Sequence, residues 1–285
     1  MSKSGVRRLG FAALILSVSV GQASAQSSAP LPCALEPGPT RAVAAVIDGD
    51  SVRLDDAIEV RLLGVLAPRV RDGGASSTLA PWPPAADARK ALEALVGGRS
   101  VALAFAGPHT DRYGRVLAHL FVDVDHQQIW VQGWLVEHGQ ARAHALPRRL
   151  NPCHAALVAL ERRARVAGRG LWSHAAYQVR PGDRPSELTR YRNSFQLVRG
   201  RIERTRLTQG LTILEFASGE KAPAPEGRSQ WDAFHVVWRR RETDKLRLPV
   251  ANTLVGRNVL VRGWIGNHRG PEVELVAAGQ LEFED

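Results

Sequence analysis

Three short runs of this 285-residue chain hold residue types that could handle an anion. Asp48-Gly49-Asp50 sets two carboxylates one residue apart. Arg61 lies inside the apolar run Val60–Val65, and Asp111-Arg112-Tyr113-Gly114-Arg115 groups two arginines with a tyrosine. Hydrolysis of a phosphodiester needs cations aimed at its oxygens, a carboxylate-held metal to polarise it and a positioned water. Arginine's planar fork suits the phosphate part of that task. Each run also has a plain structural reading, since Asp48-Gly49-Asp50 is a common turn and Asp111-Arg112-Tyr113-Gly114 a hairpin tip. Their combination points to a phosphate site.

To position these residues the chain offers a strand over Arg41–Ile47, a turn at Asp48-Gly49-Asp50, and strands over Ser51–Leu54 and Ile58–Val65. Arg71 to Pro84 reads as a loop. A helix from about Ala85 to Val96, ended by Gly97-Gly98, precedes strands over Ser100–Ala106 and Val116–Val122. Helices follow near Val131–His138 and Pro152–Ala167, the second with Cys153, Leu157, Leu160, Ala164 and Ala167 as its core stripe. The expected fold class is mainly β with α: an OB-type five-stranded barrel carrying about three helices on its outside. Residues 179–193 are polar and contain proline, which predicts a linker. Beyond it, alternating runs at Phe195/Leu197, Ile213/Phe216, Phe234/Val236/Trp238, Val259/Val261 and Val273/Leu275 predict a second small OB-like β-barrel.

Met1–Ala25 has a basic start, an apolar stretch from Leu9 to Val20 and the small-residue end Ala23-Ser24-Ala25, which is a secretory signal pattern. The expected organisation is therefore a leader at 1–25, a first domain at 33–178, a linker at 179–193 and a second domain at 194–285, with the protein periplasmic or secreted. In an oxidising compartment the only two cysteines, Cys33 and Cys153, read as a disulfide rather than a metal site, with a catalytic thiol as the alternative. Lys and Arg number 38 against 28 acids, a net charge of +10, and the leader holds three of those cations. An excess this modest argues against a dominant basic field. With 44% apolar and 23% charged residues, the composition excludes a disordered or collagen-like polymer. After the leader no apolar run reaches the roughly 18 residues a membrane span needs.

In their order, Val46–Val52, Val60–Val65 with Ala67-Pro68, and Thr110–Arg115 resemble the staphylococcal nuclease-like (thermonuclease) family. Gly139-Gln140-Ala141-Arg142-Ala143 and Gly170-Leu171-Trp172 extend the resemblance, which runs from about Arg41 to Ser173. It implies an OB-type barrel and, in active members, Ca²⁺-dependent hydrolysis of DNA and RNA. Carried over position by position, it makes Arg61 and Arg115 the catalytic, phosphate-facing arginines and Arg112 and Tyr113 phosphate contacts. It makes Asp50 a Ca²⁺ ligand, Asp48 its support and the backbone oxygen of Ala67 a further ligand. The implied partner is nucleic acid, DNA or RNA, or another polyanion.

Two positions depart from the active pattern. The family carries an acid as second metal-ligating carboxylate where this chain has Leu66, and another acid, proposed to position the water, where it has Arg69. Ca²⁺ takes about six to eight oxygens, several of them anionic, so any Ca²⁺ is expected to be weakly bound. Two readings follow: an altered site borrowing Glu59, Asp72 or substrate oxygens, or a domain that binds phosphate and has lost turnover. The second is favoured, with Arg69 adding a third guanidinium beside Arg61 and Arg115. Acids restored together at positions 66 and 69 are expected to raise metal affinity. The alternative function is a non-catalytic nucleic-acid or polyanion-binding module of the cell envelope.

In the second half Phe216, Trp231, Phe234, Trp238 and Trp264 accompany Arg239-Arg240-Arg241 and Arg262. Such a set could stack bases and track a strand's phosphates, or be barrel core beside a solvated turn. Gly256-Arg257, Val261–Ile265 and Gly270-Pro271 resemble the C-terminal OB-like module appended to some thermonuclease-family proteins.

Overall fold

The turn at Gly49-Asp50 folds β1 (Glu36–Asp48) back onto β2 (Ser51–Leu54), and the turn at Asp55-Asp56 returns β2 onto β3 (Glu59–Leu62). The structure is a computed structural model and describes residues 32–69, 84–147, 150–220, 233–268 and 270–284. The expected leader, most of the loop after Arg71, Asp72 and Trp231 lie outside the described residues. A turn at Leu63-Gly64 divides the strand expected over Ile58–Val65 into β3 and the short β4 (Val65–Leu66).

The helix α1 (Ala85–Val96) leads into β5 (Ser100–Phe105), which pairs with the N-terminal half of β1, and β6 (Val116–Val124) adds to β5. β6 also runs parallel to β3, with Arg61 opposite Leu117, so the order β3-β2-β1-β5-β6 closes into a five-stranded barrel. Its inward residues Val43, Val52, Leu62, Val101 and Leu120 share one core with Leu92 of α1, Leu135 of α2 (Val131–Glu137) and Leu157 of α3 (His154–Val166). Between β6 and α2, β7 (Gln127–Trp130) completes a hairpin; its polar start at Gln127-Gln128 is exposed and gives no strand period. β8 (Arg142–Ala143) pairs with β4. Cys33 and Cys153 form a disulfide across 120 residues of sequence; loop closure on this scale contributes about 4–5 kcal/mol in the chain-entropy account.

The expected linker is structured: β9 (Arg180–Pro181) pairs with β10 (Phe195–Leu207), and α4 (Pro185–Thr189) lies between them. A second sheet follows, built from β10, β11 (Leu211–Phe216), β12 (His235–Arg239), β13 (Asn258–Trp264), β14 (Glu272–Glu274) and β15 (Leu281–Glu284) in the order β14-β12-β11-β10-β13-β15. The short helix α5 (Thr243–Leu246) follows β12. Residues of all six strands, among them Val198, Phe216, Trp238, Val261, Val273 and Leu281, meet in one core, which requires the sheet to curl around it. Residues 31–285 cluster as one compact unit. The two sheets join through a third cluster in which Leu66, Ala164, Leu171, Trp172 and Tyr177 meet Phe195, Leu197 and Leu260. No described helix is long and apolar enough to cross a membrane.

Candidate functional site

Gly49 lets the loop after β1 approach the rest of the barrel. A Cβ there would stand 2.7 Å from the Cβ of Ala67 and 2.8 Å from that of Ala88. With that approach open, Asp50 turns its carboxylate inward and is fully buried. Its Oδ2 accepts the N–H of Ala67 at 2.8 Å. Its Oδ1 accepts from two guanidinium groups, Arg61 through Nη1 and Arg69 through Nη2, the latter at 3.2 Å. Arg61 comes from β3, where its cross-strand partner is Ser51, and Nη1 also reaches the Ser51 hydroxyl at 3.4 Å. Asp48 supports the turn by accepting the N–H of Asp50 at 3.0 Å, and its Oδ2 lies 3.9 Å from Nε of Arg69.

The second run is a hairpin tip at the start of β6. Gly114 takes φ +80°, a conformation that glycine adopts without the steric penalty of a side chain. Asp111 accepts the N–H groups of Tyr113 and Arg115 at 2.8 and 3.0 Å and the Nε of Arg115 at 2.8 Å. Burial works against its ionisation, but the Arg115 guanidinium and these N–H groups prevail and hold the carboxyl below its usual range. Tyr113 is 68% exposed, with the guanidinium carbons of Arg112 and Arg115 4.7 and 5.6 Å from its ring centre. Arg61 lies on β3 and Arg115 just before β6, the strand that pairs with β3, and the two hold different carboxylates, Asp50 and Asp111. The role of Asp111 as the arginine's anchor is absent from the turn reading of the sequence.

Residues 59–174 match the family model described as staphylococcal nuclease homologue. The chain carries a nuclease-homologue domain. No curated protein matches the chain. Arg61, Leu66, Ala67, Arg69, Arg112, Tyr113 and Arg115 all fall within the matched residues, whereas Asp48 and Asp50 precede them.

The donor set of the nuclease-homologue domain does not fit the Ca²⁺ that the family implies. Both oxygens of Asp50 already serve N–H donors, two of them cationic. Leu66 turns into the cluster shared with Phe195, Leu197 and Leu260, so its position supplies packing instead of an oxygen. Glu59, a possible substitute ligand, pairs with Arg53 at 3.1 Å on the exposed side. Among the described residues no three His, Cys, Asp or Glu side chains group as a metal site.

The aromatic and basic set of the second sheet is not a shared surface. Phe216, Phe234 and Trp238 are core, while Trp264 is 45% exposed. Arg262 is fully buried and donates to Glu161 at 2.6 Å and Glu282 at 2.9 Å. Arg239 ends β12, and Arg240 and Arg241 open the exposed turn that follows. The expected helical core stripe is corrected in the same way: Cys153, Leu157 and Ala164 are buried, Ala167 is exposed, and Glu161 occupies the buried face.

Proposed function

We propose that this is an exported protein whose nuclease-homologue domain, residues 33–178, binds the phosphodiesters of DNA or RNA and has lost Ca²⁺-dependent hydrolysis. The observation that carries this reading is the engagement of Asp50 by Arg61, Arg69 and the Ala67 N–H. A carboxylate so occupied is a poor metal ligand, while the guanidinium groups around it remain phosphate-binding types. The exposed Arg112 and Tyr113 at the hairpin tip offer a second contact, with the aromatic face suited to a base and the cation to its phosphate. Export is supported by the leader-like start and by the disulfide, which suits an oxidising compartment.

The test is a nuclease and binding assay on single-stranded DNA and RNA, run with Ca²⁺ and with chelator, beside an Arg115→Ala control. Retention of oligonucleotide without cleavage in either buffer, weakened about tenfold by Arg115→Ala, is the expected outcome. Cleavage that requires Ca²⁺ and disappears with chelator and with Arg115→Ala would overturn the reading.

A further inference from the structure

This inference rests on the reading of the nuclease-homologue domain as a phosphodiester binder and concerns where the bound strand runs. We infer that Trp264, at the end of β13, is a base-stacking platform through which the second sheet grips a single strand whose phosphates the first domain holds.

Three observations lead there. First, among the described Trp, Tyr and Phe residues the exposed side chains are Tyr113 and Trp264, whereas Phe216, Phe234 and Trp238 fill the core of the second sheet. Second, Trp264 lies at the open margin of the face that this sheet packs on the first domain. It stands two residues from Arg262 and directly opposite Phe195, so the three side chains share a face. Arg262 is sealed against Glu161 and the Ala143 carbonyl, and Phe195 is buried with Leu66, but Trp264 is 45% exposed. Its ring meets that of Phe195 at 6.0 Å and 79°, an edge arrangement that engages at most one face of the indole. Third, this margin adjoins the anion site through two consecutive residues. Leu66 packs with Phe195, and Ala67, its Cα about 3.8 Å further along the chain, gives its N–H to the Asp50 carboxylate that holds Arg61.

The chemistry suits a single strand. Held by its phosphates, such a strand leaves its bases free, and an aromatic face accepts any of them because every base has a π-face. A cation stands near the platform: Asn193 donates its N–H to the Ile265 carbonyl at 2.8 Å, which sets the exposed Arg192 beside the end of β13. Stacking joined to cationic tracking is how OB-type surfaces hold a strand without reading its sequence. A duplex keeps its bases stacked on one another and must unstack to present one, so the platform selects single strands.

The experiment is fluorescence anisotropy of the full chain with a labelled thymidine oligonucleotide of about twelve nucleotides and with an abasic strand of the same length, for the parent, Trp264→Leu and Trp264→Phe. Trp264→Leu keeps apolar packing against Phe195 but has no ring; it should bind the thymidine strand about tenfold more weakly and the abasic strand as the parent does. Trp264→Phe returns a ring and should recover most of the loss. If Trp264→Leu fails to fold, tryptophan fluorescence decides: the thymidine strand should quench the parent and quench Trp264→Phe less. Parental affinity of Trp264→Leu for the thymidine strand, an equal loss on both strands, or equal quenching in the parent and Trp264→Phe would overturn the inference. So would a parent dimer that Trp264→Leu turns into a monomer in light scattering, since the face would then belong to a second copy. A parent that binds neither strand would instead remove the phosphodiester reading on which the inference stands.

Discussion

At Asp50 a buried carboxylate takes two guanidinium groups, Arg61 and Arg69; at Glu161 another takes one, Arg262, which reaches on to Glu282. The pairs use the same chemistry in different surroundings. Arg262 and Glu161 are both fully buried, and Glu161 also accepts the N–H of Ala143 at 2.8 Å. Arg262 donates to the Ala143 carbonyl as well, and Arg162 caps Glu282 at 2.6 Å, so the cluster has a sealed Arg262–Glu161 centre and ties α3 and β8 to β13 and β15. The Asp50 cluster has one closed member and two arginines with solvent access. An ion cluster sealed between two sheets orients them; one whose arginines keep solvent access can meet a ligand.

The largest expected effect breaks the sealed side. Arg262→Met leaves Glu161 buried without its guanidinium, and removing one partner of such a pair costs about 3–5 kcal/mol. Arg61→Met leaves Asp50 with Arg69 and the Ala67 N–H, so its loss of stability should be smaller and its loss of oligonucleotide affinity larger. Urea denaturation and anisotropy on both variants read the two effects separately. If Arg61→Met proves the more destabilising, the division between a structural and a ligand-facing cluster is wrong.

A middle-sized effect is expected at Leu66, where the two regions meet. Its neighbours are Phe195, Leu197 and Leu260, so Leu66→Asp places a carboxyl in apolar packing and should cost about 3 kcal/mol. Calorimetric Ca²⁺ titration of that variant should show no gain, since the side chain faces the neighbouring sheet's residues. That result would count against the expectation that acids restored together at positions 66 and 69 raise metal affinity. A tightly bound Ca²⁺ in Leu66→Asp would restore it.

What the sequence made legible follows from which interactions are local. Alternation and turn residues locate β1 to β3, β5 and β6, and α1 is found at Ala85–Val96 because Gly97 and Gly98 end an apolar period there. The disulfide is readable because a chain with only two cysteines offers one pairing. The motifs around Asp50, Arg61 and Arg115 also identify the first domain. The partners of charged residues are not readable: Arg262 and Glu161 are 101 residues apart, and each looks like a surface residue on its own strand or helix. A Glu on the stripe between Leu157 and Ala164 was the one available signal. Leu66 reads as a lost ligand because sequence pattern says that a residue is apolar and not which of two cores it serves. The aromatics of the second sheet are misleading for the same reason, since alternation places Phe216 and Trp238 inward without revealing that Arg262 points toward α3.

The smallest effect per residue comes from pH, and it bears on the comparison because His144 feels both clusters. Burial first, and then the positive charges of Arg142, His154, Arg262 and Arg69, push its pKa down to about 4 from an ordinary 6.5. Burial alone takes His119 to about 4, where its Nδ1 accepts the indole N–H of Trp130 at 3.2 Å and so must be unprotonated. Each folded imidazole binds a proton less readily than its unfolded counterpart. Stability contributed by the neutral rings is therefore complete above pH 6.5, is lost as pH falls toward 4, and changes no further below that. At pH 5 the loss should be about 2 kcal/mol for each ring. Glu282 and Asp111, whose carboxyls are held below their ordinary values of 4.5 and 3.8, give up their share at lower pH, so the two classes separate. Burial also lowers the pKa of His154, so urea denaturation at pH 7.5, 6 and 5 should show falling stability for the parent and a shallower fall for His144→Asn. A parent equally stable at pH 7.5 and 5 would mean that both rings take up protons in the folded state. Burial and the cations around His144 would then not keep that ring neutral.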